Sequence, residues 1–178
     1  CGGIIYFIMR DKVSEERVAQ LHPNIREEVK ALIEKAEEGF PENMAIRVAE
    51  GYRSIAYQNA LYAQGRTKPG KVVTNAKGGQ SYHNFGLAID FCLLHDKDGN
   101  GSYEEMSWNT KEDFDKDGIP DWNEVVKIFT DAGYEWGGKW ATIVDAPHLQ
   151  KRFNYNWRQL LQKYDHKDFL PGTEYVRL

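Results

Sequence analysis

The chain has 178 residues, enough for one ordinary domain with a substantial core. Its composition (41% hydrophobic, 28% charged, net charge −4) excludes a disordered chain and argues against a general nucleic-acid binder. No stretch approaches the ~20 apolar residues of a membrane span, and the apolar run at 4–9 falls short of the ~7–15 residues of a signal-peptide core. A single domain over 1–178 is expected. The start, 1–12, reads as a tag or flexible segment, and no export signal is visible.

The predicted elements follow in chain order. Ser14 caps a short helix carrying Val18 and Leu21, which Pro23 interrupts. Asn24 and Glu27 form a capping-box pattern ahead of Val29, Leu32, Ile33 and Ala36 at helical spacing, and Gly39 stops that helix. Residues 45–49 predict a strand, and Ser54 caps a second long helix running to about Ala63. Residues 65–81, rich in Gly, Lys, Thr and Asn, read as one long loop of the kind that carries function. A strand is expected at 86–94, a helix at 123–131, a strand at 147–150 and a closing helix at 157–164. Helices and short strands mix without regular βαβ alternation, so the fold class is α+β. Cys92 sits in an apolar run and reads as a buried free thiol.

Charge is spread unevenly. Residues 95–124 hold ten acids against three lysines, a net −7, leaving +3 for the rest of the chain. A mildly basic body therefore carries one acidic insert.

The chemistry concentrates in two short stretches. Alternate residues of a strand share a face, so Leu87, Ile89 and Phe91 point into a core. Gly86, Ala88 and Asp90 then leave a nearly bare face ending in one carboxylate, with His83 at its mouth. Alone, that pair is equally a turn histidine beside a strand-end aspartate. The second stretch, Asp145-Ala-Pro-His148, changes the reading. Two histidines and one carboxylate, with a fourth position left for water, are the composition of a catalytic zinc site. Asp145 stands three residues before His148, so the Ala146–Pro147 step must bend for both to face one ion. A carboxylate so placed can act as general base. Arg53, at a strand–helix junction, can donate to a developing oxyanion or a substrate carboxylate, and Gln58 lies near the same helix end.

Together, Ser81-x-His83-x-x-Gly86-x-Ala88-x-Asp90 and Asp145-x-Pro-His148 resemble the VanY-type D-Ala-D-Ala carboxypeptidase and L-Ala-D-Glu endopeptidase family of zinc peptidases. The runs Gly51-Tyr-Arg-Ser, Gln58-Asn-Ala-Leu-Tyr-Ala-Gln-Gly-Arg-Thr and Glu135-Trp-Gly-Gly-x-Trp140 are similar to its L-alanyl-D-glutamate endopeptidase branch of phage endolysins and bacterial autolysins. The resemblance implies a small antiparallel sheet flanked by helices. It implies zinc on His83, Asp90 and His148, Asp145 as base, Arg53 at the transition state, and Ser81 and Gln58 in the substrate cleft. Glu135 is the alternative base. The implied partner is the peptidoglycan stem peptide, met at the cell wall by a monomer; without a visible export signal, phage-type release from the host is one expectation. A D,D- or L,D-carboxypeptidase and a non-catalytic zinc/calcium module are the competing readings.

The insert carries its own motif. Asp113, Asp115, Asp117, Gly118, Asp121 and Glu124 fit positions 1, 3, 5, 6, 9 and 12 of an EF-hand calcium loop. Asp96-Lys-Asp98-Gly-Asn100-Gly101 begins the same way but reaches Ser107 at position 12, a partial site. Calcium-stimulated activity is therefore expected. His22, His95 and His166 read as ordinary surface or turn histidines, and the five tryptophans as core or cleft packing.

Overall fold

The computed structural model describes residues 8–178. Cys1 and most of the 1–12 start lie outside the described residues. From Met9 onward that start is not loose: Met9 is buried, and Arg10 donates to the carbonyls of Glu37, Phe40, Pro41 and Met44.

Helix α1 (Lys12–Ala19) is capped by Asp11, not Ser14. Ser14 is buried instead, and it spends its hydroxyl on strand β1 (Met44–Glu50), accepting from Val48 N at 2.7 Å and facing Ile46 O at 3.2 Å. Helix α2 (Pro23–Gly39) starts one residue before the predicted capping box. His22 is its cap, with Nδ1 accepting from Asn24 N and Nε2 against Val176 O at 2.8 Å, so this histidine stands in the helix break, as one of its two readings had it, but is fully buried. Proline at the first helical position needs no donor there, which sets the boundary.

Strand β1 is an edge strand whose outer rim is closed by side chains. Met44 O accepts from Arg10, Ile46 N donates to Glu37, Ser14 covers Ile46 O and Val48 N, and Arg17 donates to Val48 O and Ala49 O. Asp11 anchors this arrangement through a two-pronged contact with Arg47 at 2.8 and 2.9 Å. Burial pushes the Asp11 carboxyl up, but the bonds from Arg47 and Ser14 prevail and hold it below the usual carboxylate range. Asp11→Ala should cost about 2–3 kcal/mol in urea denaturation at neutral pH. A depressed folded pKa stabilises above the unfolded value, so the gap between the two proteins should close as pH falls below about 4.

Helix α3 (Ile55–Ala63) is capped by Ser54 Oγ, as predicted. The long loop follows, and then a 3-10 turn (Tyr82–Phe85) fastened by a Ser81/Asn84 capping box and ended by Gly86 in the left-handed region. A Cβ on Gly86 would stand 2.6 Å from His22 N, so only glycine turns the chain here. Strand β2 (Ala88–His95) therefore begins two residues later than predicted. It is buried on both faces: Ala88, Cys92 and Leu94 are as enclosed as Ile89, Phe91 and Leu93, so the expected bare face is filled, and only Asp90 reaches the surface in part. Burial pushes the free Cys92 thiol up to about 11, consistent with an inert core residue.

Beyond β2 come β3 (Glu105–Ser107), α4 (Asp121–Asp131), β4 (Glu135–Trp136), a 3-10 turn (Gly137–Lys139), β5 (His148–Gln150) and α5 (Trp157–Asp165). The sheet is antiparallel in the order β1-β2-β5-β4, with β3 also on β2. One edge of β2 is thus shared, β5 pairing with 88–90 and β3 with 93–95. Apolar residues of α2 and α4 (Ile25, Val29, Ile33, Trp122, Val125, Phe129) join Ile89, Phe91, Leu93 and Leu149 in one core. Among the described residues no helix is long and apolar enough to cross a membrane.

Candidate active site

Register brings the two motif stretches together. Asp90 on β2 pairs directly with His148 on β5, and Glu50 of β1 is its partner on the other side. His83 arrives from the 3-10 turn, which is locked to the segment after β1: Arg53 N donates to His83 O at 3.0 Å and Asn84 Nδ2 to Arg53 O at 2.9 Å.

Three donor atoms then form a small triangle. His83 Nε2 lies 3.3 Å from Asp90 Oδ1 and 3.2 Å from His148 Nδ1, and His148 Nδ1 lies 3.1 Å from Asp90 Oδ1. Ligands at about 2.0–2.1 Å in tetrahedral geometry stand about 3.3 Å apart, so the triangle matches one face of a zinc tetrahedron. The outer nitrogens agree. His83 Nδ1 faces Gly51 O at 2.7 Å and His148 Nε2 faces Gln150 Oε1 at 2.8 Å, and both oxygens demand an N–H. Each ring is left with a bare lone pair turned toward the carboxylate, a set of acceptors that a cation satisfies. Burial raises the Asp90 carboxyl, but the imidazoles beside it prevail and hold it far below the usual range, so it stays ionised. His83, Asp90 and His148 could therefore hold the zinc that the sequence leads one to expect.

The open side of the triangle faces a cleft of about 970 Å³ lined by Arg53, Ser81, Trp140, Asp145 and the 72–76 stretch. Asp145 reaches it because the chain bends as expected: His148 N donates back to Asp145 O at 3.2 Å, and Asp145 N donates to Gly137 O at 3.0 Å. Gly137 is required, since a Cβ there would lie 2.5 Å from Asp145 O and 3.2 Å from His148 Cβ. Burial, followed by the charge on Asp90, raises the Asp145 carboxyl above the ordinary range, which suits a proton acceptor and donor.

Arg53 lines the cleft with Nη2 3.5 Å from Glu50 and 3.9 Å from Asp90, while its buried Nε has no partner among the described residues. Gln58 departs from expectation. It is fully buried and does not line the cleft; its Oε1 accepts from Arg53 Nη1 at 2.9 Å and its Nε2 donates to Ala76 O at 2.9 Å. Helix α3 points this side chain inward, so it ties Arg53 to the long loop instead of meeting substrate. Glu135 is likewise occupied: Oε1 accepts from Trp140 Nε1 at 2.9 Å, and Oε2 sits 3.4 Å from Gln150 Nε2 and 3.6 Å from Arg152. It braces Gln150, and through it His148, outside the cleft. Gln150 and Gly137 were not singled out from sequence. The i+2 spacing of Gln150 from His148 on one strand face was the available signal.

The acidic insert also converges. Carboxylate oxygens of Asp113, Asp115 and Asp121 come within 4.8 Å of one another, as do those of Asp115, Asp117 and Glu124. Helix α4 starts at Asp121, two residues earlier than predicted, so Asp121 and Glu124 both belong to its first turn. Asp121 Oδ1 and Glu124 Oε2 are buried without a hydrogen-bond partner among the described residues. Burial, then the charges of Asp117, Asp115, Asp121 and Asp113, push Glu124 up to about 7. In the first loop Asp96, Asp98 and Glu104 gather in place of a position-12 acid. His95, read as a surface or turn histidine, is buried at the end of β2 and stacks on Phe114 at 4.1 Å.

A small antiparallel sheet presenting two imidazoles and a carboxylate beside a free acid and an arginine has the arrangement of a zinc peptidase. The chain belongs to the family of D-alanyl-D-alanine carboxypeptidases and L-alanyl-D-glutamate endopeptidases. A family model described as D-alanyl-D-alanine carboxypeptidase matches residues 74–151, a span that includes His83, Asp90, Asp145 and His148. The chain is 43% identical over 132 residues to the peptidoglycan L-alanyl-D-glutamate endopeptidase CwlK of Bacillus subtilis (strain 168), covering 74% of each protein. It is 35% identical over 77 residues to the L-alanyl-D-glutamate peptidase of Listeria phage A118, covering 43% of this chain and 22% of the phage protein. The fold is shared with the L-Ala D-Glu endopeptidase ChiX of Serratia marcescens, at a TM-score of 0.51 and 24% identity over 85% of this chain and 95% of that one.

Proposed function

We propose that the protein is a zinc endopeptidase that cuts the L-Ala–D-Glu bond of the peptidoglycan stem peptide at the cell wall. The observation that carries this reading is the triangle of His83 Nε2, Asp90 Oδ1 and His148 Nδ1 opening onto a cleft that also holds Asp145 and Arg53. His83, Asp90 and His148 would hold the zinc, which would supply Lewis acidity to the scissile carbonyl and make water a stronger acid near neutral pH. Asp145 accepts the proton of the attacking water and returns it to the leaving amine. Arg53 donates to the carbonyl oxygen as it gains charge. Gly51 O and Gln150 Oε1 hold the two imidazoles in the tautomers that leave Nε2 and Nδ1 free. Ser81, on the cleft wall, is placed to contact the peptide. The exposed loop beside it carries Arg66, Lys68, Lys71 and Lys77, none paired with an acid among the described residues, a surface suited to a carboxylate-bearing peptide.

Calcium is the second ion of this reading, held by Asp113, Asp115, Asp117, Asp121 and Glu124. The two unpartnered buried oxygens within that set support it.

Mass spectrometry of purified sacculi after digestion tests the activity. New D-Glu amino termini are expected. Release of terminal D-alanine would mean a carboxypeptidase instead, and intact walls with zinc-replete protein would mean a binding module.

A further inference from the structure

The acidic loop is not an appendage hung beside the peptidase site; one side chain spans the two. Trp122 directly follows Asp121 and is completely buried. Its ring lies 4.4 Å from that of Phe91, the neighbour of Asp90. Its Nε1 donates at 3.3 Å to the carbonyl of Ala146, the neighbour of Asp145. Trp136 Nε1 donates to the same carbonyl at 2.7 Å, and Phe91 N donates to Pro147 O at 3.1 Å. The peptide that bends between Asp145 and His148 is therefore gripped from α4, β4 and β2 together.

We propose that Trp122 is a positioning residue through which calcium in the 113–124 loop fixes Asp145 for catalysis. This rests on the reading of that loop as a calcium site. The physical route is short. Asp121 and Glu124 stand in the first turn of α4 on either side of Trp122, and with the loop vacant their charges repel those of Asp113, Asp115 and Asp117. A bound ion draws both acids onto fixed positions, and the helix start, the indole and the Ala146 carbonyl are fixed with them. Tight packing of Trp122 on Phe91 passes displacement on instead of absorbing it. Ion and substrate would then be coupled although they never touch, and coupling of ordinary size would raise turnover about tenfold.

Calcium titrations of zinc-replete wild type and Trp122→Phe decide the matter. Phenylalanine keeps a ring against Phe91 but lacks the N–H. Isothermal titration should find calcium affinity within about threefold in both proteins, while calcium raises kcat about tenfold in wild type and less than about twofold in the variant, with KM little changed. A variant with the full calcium gain overturns the proposal. So does a wild type that binds calcium without gaining activity, in which case the calcium site stands and the link falls. A wild type that binds no calcium removes the site itself and the link with it. Hydrogen exchange on wild type gives a second readout independent of the variant's folding: calcium should slow exchange at 145–148 as well as at 113–124. Protection confined to the loop also counts against the link.

Discussion

Replacing Asp145 by asparagine is expected to lower kcat about a thousandfold while zinc content stays at one ion per chain. The amide is almost the same size and keeps the hydrogen-bonding pattern of the bend, because Asp145 holds that bend through its backbone, with N donating to Gly137 O and O accepting from His148 N. What it loses is the capacity to take a proton. Zinc measured by elemental mass spectrometry should be unchanged, since the three donor atoms belong to His83, Asp90 and His148. An asparagine variant with more than a tenth of wild-type turnover would move the base elsewhere. Glu135 is a poor successor, with both its oxygens already engaged by Trp140, Gln150 and Arg152.

The second large effect should come from Arg53→Lys, with kcat down about a hundredfold and KM changed by only a fewfold. An ammonium is one point charge. It cannot hold Gln58 with one nitrogen while another stays between Glu50 and Asp90 at the cleft. Gln58→Leu should act in the same direction more weakly, about tenfold, because it frees both Arg53 and the loop at Ala76. If Arg53→Lys stayed within threefold of wild type on kcat, the guanidinium would serve the ground state only.

The site was more legible than the scaffold around it. His83, Asp90, Asp145 and His148 could be named because they fall in two short motifs with a zinc-site composition and a family resemblance, whereas the pairing of Asp90 with His148 comes only from the folded sheet. The strand β4 spans two residues and β3 three, too few for any alternation to show. The bare face expected at Gly86, Ala88 and Asp90 failed because β2 is the central strand, and a central strand is covered on both sides whatever its alternation suggests. The depth of His22 and His95, read as surface or turn histidines, was hidden for a related reason. Their burial is set by Val176 and Phe114, partners 154 and 19 positions away that no local window contains. Gln58 shows the limit of proximity along a helix: the residue lies near the right end but on the inward side.

The side chains of Arg10, Ser14, Arg17 and Glu37 along the outer rim of β1 occupy the amides and carbonyls that a foreign strand would need. An edge strand closed in this way offers no free ladder to another chain. Ser14→Ala would leave Val48 N and Ile46 O buried without partners, so the loss should fall on the stability of the border itself.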